Sequence, residues 1–197
     1  MKSGLYNTSR IFSFLPIMRR LKVFIACSLD GYIADENESL EFLNCVHDED
    51  EDYGYSSFYD KVQTVLIGRK TYDTLISFGM PFAHEGKETF VFTRKFREEN
   101  RHAKFITDNP VEFVKILKNT PGGLIYCDGG GTIVTQLITA KLVDEIVVSI
   151  IPRLLGKGTK LFNENLMGQI PLYLVSSRSF PSGLVQIKYR SSPIVAP

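Results

Sequence analysis

Short segments that are hydrophobic on both faces alternate along this chain with stretches of helical pattern, and few folds accept such a sequence. "LKVFIACSL" (residues 21–29) comes first. It offers no polar face to water, so as a strand it needs cover on both sides. "TVLIG" (64–68), "ETFVFT" (88–93), "LIYCD" (124–128) and "DEIVVSIIP" (144–152) share that character, and "KFIT" (104–107) is a shorter piece. Between them, "RKTYDTLISF" reads as a helix ended by Gly79-Met80-Pro81, and Pro110 opens "VEFVKILKN", which Pro121-Gly122-Gly123 stops. "TIVTQLITAKL" is helical, and "SLEFLNCV" (39–46) reads as a short helix or loop. The acidic run at 48–52 leads into a helical "YGYSSFYDKV", its charges at the favourable N-terminal end. The alternation predicts an α/β fold, a three-layer sandwich with a mainly parallel central sheet and helices on both faces. "PLYLVSSRSF" and "LVQIKYR", joined through Pro181-Ser182-Gly183, predict an antiparallel C-terminal hairpin on one edge.

Composition narrows the class. The 197 residues, 44% hydrophobic and 23% charged, suffice for one core without staples. A formal net charge of +1 gives no electrostatic footprint for nucleic acid or a membrane surface. No apolar run reaches spanning length. Cys27, Cys45 and Cys127 are odd in number and widely spaced, which argues against a disulfide framework and a metal site and fits a reducing cytoplasm. Cys27 and Cys127 read as small core residues. His47, His84 and His102 show no ligand spacing and read as surface or loop residues. Residues 1–20 read as an extension outside the fold, with Met18 a natural second start and no clear signal-peptide cleavage site. Residues 21–197 read as a single domain.

Three strand ends carry the chemistry. After "LIYCD" come Gly129, Gly130 and Gly131, then a helix starting at Thr132 and Ile133. Without side chains the turn brings amides close to a ligand, and the helix N-terminus favours an anion; the same triplet could serve as a flexible connector. After "VLIG", Gly68 is followed by Arg69, Lys70 and Thr71 at a helix start. Cations there oppose the helix dipole unless an anion lies between them, or they are a solvated pair. After "VFT", Thr93 is followed by Arg94 and Lys95, a pair suited to a ribose 2′-phosphate. In open α/β sheets ligands bind beyond the carboxyl ends of strands, where all three features lie. Tyr53, Tyr55, Phe58 and Tyr59 form an aromatic cluster fit for core packing or for stacking on a substrate ring.

"IACSLDGYIA", "VLIGRKTYDTL", "FVFTRK", "IYCDGGGTIVTQL" and "VVSIIPRLLGKGTKLF" resemble, in order and spacing, dihydrofolate reductase and the C-terminal reductase domain of the bifunctional riboflavin-biosynthesis enzyme. "SLDGYIA", "DYGYSSFYD" and "PRLLGKGTKLF" are most similar to the small stand-alone members of that group. The resemblance implies a dihydrofolate-reductase-like fold and an oxidoreductase using NADPH on a small heterocyclic substrate. It places Ala26, Gly31, Ile33 and Ala34 at the nicotinamide and Gly68, Arg69, Lys70 and Thr71 at phosphate. Thr93, Arg94 and Lys95 would flank the 2′-phosphate, and Gly129, Gly130, Gly131, Thr132 and Ile133 the pyrophosphate. It offers two catalytic carboxylates. Asp52 matches the dihydrofolate reductase spacing and Asp30 matches the riboflavin-type "SLDG". The residues themselves also allow a helix-starting Asp52 and a turn-forming Asp30. The chain departs from dihydrofolate reductase in having no tryptophan, and in Lys87 standing where a folate-binding arginine is expected. A true dihydrofolate reductase and a non-catalytic NADPH-binding sensor remain the alternatives. The relatives imply a homodimer.

Overall fold

The computed structural model describes residues 18–164, 166 and 168–193. The first strand, β1 (Leu21–Ser28), leads through β2 (Tyr32–Ala34) and a 3-10 turn (Glu41–Val46) to the short helix α1 (Tyr55–Tyr59). Then come β3 (Val62–Gly68), α2 (Arg69–Ser77), β4 (Glu88–Phe92), β5 (Lys104–Ile106), α3 (Pro110–Lys118), β6 (Leu124–Gly129) and α4 (Gly131–Thr139). β7 (Glu145–Ile151), β8 (Thr159–Lys160), β9 (Tyr173–Ser179) and β10 (Val185–Arg190) complete the order.

Eight strands form one sheet in the order β5-β4-β3-β6-β1-β7-β10-β9. Its first six strands run parallel, and β10 and β9 join antiparallel at the far edge. The two-sided apolar strands have the cover they require. On β3, Leu66 packs with Val114 and Leu117 of α3 and Val134 and Leu137 of α4. Its neighbours Val65 and Ile67 pack on the other face with Tyr72 of α2, Phe82 and Tyr126. α3 starts as its sequence predicts, with Pro110 in the first turn and the Asn109 side chain accepting from the amide of Val111 at 2.8 Å. Cys27 and Cys127 are core residues, and burial pushes their thiols up to about 11 and about 12. No helix among the described residues is long and apolar enough to cross a membrane.

Four expectations need correction. The helix expected over 53–62 is only Tyr55–Tyr59, because Val62 pairs with Leu124 as the first residue of β3. The small antiparallel ribbon of β2 and β8 was not anticipated, since its pairing joins segments more than a hundred residues apart. His84 is not a surface residue but 3% exposed. The fold also begins before residue 21: the amide of Arg19 donates to Lys118 O at 2.9 Å, and its buried guanidinium donates to Gly123 O at 2.8 Å and Thr64 Oγ1 at 2.6 Å. The rest of the expected N-terminal extension, 1–17, lies outside the described residues.

Candidate active site

The order of strands decides where a ligand can sit. From β3 the chain crosses by α2 to β4 on one side; from β6 it crosses by α4 to β7 on the other. β3 and β6 are neighbours, so their following helices depart to opposite faces and leave a crevice at the carboxyl ends. A cleft of about 1300 Å³ opens there.

One half of the cleft is backbone and positive charge. Gly68, Arg69, Lys70 and Thr71 line it from the start of α2, and Gly130, Gly131, Thr132 and Ile133 from the start of α4. Gly130 is the residue before α4, and its carbonyl accepts from the amides of Ile133 at 3.0 Å and Val134 at 3.2 Å. The amides ahead of those belong to a first turn that has no intrahelical acceptor. A Cβ on Gly130 would project to 3.3 Å from Thr71 Oγ1, into the gap between the two helix starts. Gly131 is a glycine for a different reason. A Cβ there would lie 2.0 Å from Lys160 O, so this position is demanded by packing.

The cations differ in their commitments. Lys70 pairs with Glu38 at 2.5 Å, and Arg69 with Asp73. Asp73 also takes Arg97 at 2.8 Å, so one carboxylate serves two guanidiniums. Arg94 and Lys95 line the cleft with no carboxylate partner among the described residues. Thr93 turns its hydroxyl onto its own loop, accepting from the Lys95 amide at 3.2 Å, and so fixes the pair. The result is a positive end to the cleft that an anion would satisfy. Arg97, which also lines the cleft, was not singled out in the sequence; its place one turn of loop beyond the basic pair was the available signal.

The other half is apolar and aromatic. Ala26, Ile33, Ala34, Phe24, Leu43, Val46, Tyr55, Tyr126 and Leu184 supply its apolar lining. Asp128, near the end of β6, lines the cleft with Tyr126 and Tyr55. Its Oδ1 accepts from the hydroxyl of Tyr126 and its Oδ2 lies 3.1 Å from His84 Nε2. Burial first, and then the charge of Asp128, push the hydroxyls of Tyr55 and Tyr126 above the ordinary range, so both remain protonated. Sequence reasoning passed over both Asp128 and His84. Asp128 stands directly before the glycines at a strand's carboxyl end, which was a signal; nothing local to His84 was.

The two carboxylates expected to be catalytic are both engaged by the chain itself. Asp30 does not line the cleft. Its oxygens accept from Ser28 Oγ at 2.6 Å, Gly156 N at 2.7 Å and Leu155 N at 3.1 Å, binding the turn after β1 to the segment after β7. The Ser28 bond first, and the backbone amides after it, hold its carboxyl down to about 2. Asp52 is at the cleft, yet it accepts from the amides of Gly54 at 2.7 Å and Ser56 at 2.9 Å and so starts α1. The Ser56 hydroxyl, then these amides, hold it below the ordinary range. Gly31 and Gly129 shape the turns beside the cleft without lining it. Lys87 also stands outside it, with Nζ 4.9 Å from the centre of the Tyr59 ring.

The chain is similar in sequence and fold to known proteins. The sequence profile described as RibD C-terminal domain matches residues 19–186. The protein YyaP of Bacillus subtilis (strain 168) is 35% identical over 183 residues, spanning 87% of this chain and 94% of its own length. A solved structure of a Shewanella sp. PV-4 protein assigned to riboflavin biosynthesis is 29% identical and covers 87% of this chain and 98% of its own, with a TM-score of 0.79. Dihydrofolate reductase from Enterococcus faecalis, solved with NADP(H), shares the fold at a TM-score of 0.60 and 17% identity, over 87% of this chain and 95% of its own. The expected dihydrofolate-reductase-like fold and the resemblance to the riboflavin reductase domain are both borne out.

Proposed function

The chain belongs to the RibD C-terminal domain family, a family of reductases, and on that premise we propose that it is an NADPH-dependent enzyme acting on a small heterocycle. The observation that carries the reading is the pair Arg94 and Lys95, without a carboxylate partner among the described residues, at one end of a switch-point cleft whose other end is aromatic. The backbone of Gly130, Gly131 and Thr132, with Gly68 and Thr71 opposite, would hold a pyrophosphate. Arg94, Lys95 and Arg69 would hold the 2′-phosphate, and Ala26, Ile33 and Ala34 would pack on the nicotinamide. Bound there, NADPH supplies the hydride. The chain's own part is to bring donor and acceptor together and exclude water, with Phe24, Tyr55 and Leu184 as an apolar wall against the acceptor.

Fluorescence titration with both cofactors tests the reading. NADPH binds more tightly than NADH, and added salt weakens the preference. Equal affinities would remove the argument from the basic pair. NADPH oxidation is then followed with an aminopyrimidine of the riboflavin pathway beside dihydrofolate. Turnover of the first and not the second is expected, since tryptophan is absent and Lys87 lies outside the cleft. We extend the proposal to a cytoplasmic homodimer, because β9 is an exposed edge strand with Leu174 56% exposed. Light scattering at micromolar concentration checks the dimer, and a monomer there counts against it.

A further inference from the structure

Among the described residues, every Lys and Arg that lines the cleft comes from one stretch of chain: Arg69 and Lys70 at the start of α2, and Arg94, Lys95 and Arg97 beyond β4. β3 and β4 lie on one side of β6 in the sheet. From β6 outward through β1 and β7 the charge changes. The lining from these strands includes Phe24, Ala26, Tyr126, Asp128, Ser149 and Ile151, and no Lys or Arg. The 3-10 turn and α1 cover the same side: Val46 packs with Ile151, and the Tyr55 ring meets Phe24 edge-on at 5.6 Å. They and the loop between them bring Leu43, Asn44, His47 and Asp52 to the cleft, and again no Lys or Arg.

The sequence that builds this side carries one sign of charge. From Val23 to Asp60 the chain has eleven Asp and Glu and no Lys or Arg, half of its 22 acidic residues. Among the described residues only Glu38 of the eleven is in an ion pair, with Lys70. Five of them are consecutive, at 48–52, and four of these are exposed. The flanks of the run are fixed at the edge of the cleft. The Tyr53 hydroxyl donates to Val46 O at 2.5 Å, and Gln186 Nε2 donates to Tyr53 O at 3.0 Å. Low-dielectric walls focus the field of such a run into the cleft. The cleft therefore has a positive end beside β3 and β4 and a negative end beside β1 and β7.

We propose that the acceptor is a planar heterocycle without a phosphate or carboxylate, and that the negative end of the cleft turns away anionic forms of the same ring. The inference rests on the reductase reading above and names the class of substrate for it. A ring finds an aromatic surface there, with Phe24 stacked on Phe58 at 4.9 Å and Tyr55 beside it. An anionic substituent finds no cation. The hydroxyls of Tyr53 and Tyr126 are already turned to acceptors of the chain, Val46 O for the first and Asp128 or Phe24 O for the second. A group that leaves the cleft over the 3-10 turn meets the carboxylates of 48–52, and like charge brought against like charge is strongly disfavoured. Amino groups meet no such obstacle. Dihydrofolate, with two carboxylates on its tail, fails for the same reason as a phosphate ester, and the aminopyrimidine is taken in its phosphate-free form.

A matched pair of acceptors tests this: an aminopyrimidine ribonucleoside and its 5′-phosphate, each followed by oxidation of saturating NADPH. The nucleoside is turned over, and the phosphate falls about 100-fold below it in kcat/KM, the scale on which like charges are discriminated. Added salt narrows that ratio by screening the repulsion, the opposite of its effect on NADPH binding. Asn44→Lys sets a cation at an exposed position of the lining. It raises kcat/KM for the phosphate about 10-fold and leaves NADPH affinity and turnover of the nucleoside as they were. Titration calorimetry on the protein loaded with NADP+ needs no turnover and gives the same order of affinities. A phosphate used or bound as well as the nucleoside overturns the proposal while the reductase reading stands, and so does a ratio indifferent to both salt and Asn44→Lys. If the protein oxidises no NADPH with this pair or any other acceptor, the reductase reading fails and the substrate class falls with it.

Discussion

The two halves of the cleft are built in opposite ways. The glycine-and-cation half comes from three contiguous segments, 68–71, 93–95 and 130–133, each at the carboxyl end of a strand where the chain turns into a helix or loop. The apolar half comes from single residues scattered over the chain: Phe24 on β1, Val46 in the 3-10 turn, Tyr55 on α1, Asp128 on β6 and Leu184 in the C-terminal hairpin. Recognition by backbone and charge needs local chain geometry, so it occupies runs of sequence. Recognition by a shaped apolar wall needs only side chains that meet after folding. Related domains can therefore keep the first while exchanging the second.

Substitutions in the glycine triplet give the largest effects and separate fold from binding within one half. Gly131→Val sets a side chain against Lys160 O, where even a Cβ would lie at 2.0 Å. Denaturant melts of that variant lose about 3 kcal/mol or do not show a folded state, the upper end for overpacking. Gly130→Val faces open cleft and Thr71 Oγ1 instead. Its melts stay close to the original, whereas fluorescence titration shows NADPH affinity lowered by about 100-fold or more, the loss of roughly two charge-assisted backbone bonds. Unchanged NADPH binding by Gly130→Val would reduce the triplet to a connector.

Arg94→Gln is the next largest. NADPH binding weakens about 10-fold, the scale of one charge-assisted bond, and NADH binding does not move. Equal losses for both cofactors would place Arg94 somewhere other than the 2′-phosphate.

Carboxylates at the margin of the cleft give the smaller effects. The folded pKa of Asp30 is held below its ordinary 3.8, at about 2. Its contribution to stability is therefore fully present above about pH 4 and lost as pH falls through about 2. Thermal melts should place Asp30→Asn below the original protein at neutral pH, with the gap closing between those two values. A gap that persists at pH 2 would mean that the carboxylate's charge is not what joins the two segments. Asp52→Asn is the smallest. Asparagine caps a helix about as well as aspartate, so kcat and the thermal midpoint should stay within roughly twofold and a degree or so of the original. A hundredfold drop in kcat would give Asp52 a part in the chemistry.

The sheet and the strand ends that open the cleft were legible because their signals are local. Two-sided apolar strands announced the parallel sheet, and Gly68, Arg94 and the triplet announced their strand ends. The residues that escaped depend on long-range closure. His84 lies in a loop with no periodicity, and only the packing of Phe82 and Tyr126 around it makes it a buried, doubly bonded ring. Asp30 and Asp52 differ from His84 in that their partners are local. Their neighbours in sequence, Ser28 and Ser56, take them into turns before any substrate could. Gly131 looked like its two companions and differs only through Lys160, twenty-nine residues on.

Arg19 sets a limit on how far this chain can be shortened. Its amide and guanidinium reach Lys118 O, Gly123 O and Thr64 Oγ1, closing the bottom of the sheet beneath β3 and β6. A chain cut back to Met18 keeps these donors. One cut back to Leu21, at the first strand, takes them away from groups that face inward, and tolerance of truncation follows such bonds more than position. A chain begun at Leu21 should accordingly melt below one begun at Met18, and the shortest well-behaved fragment should carry Arg19 at its head.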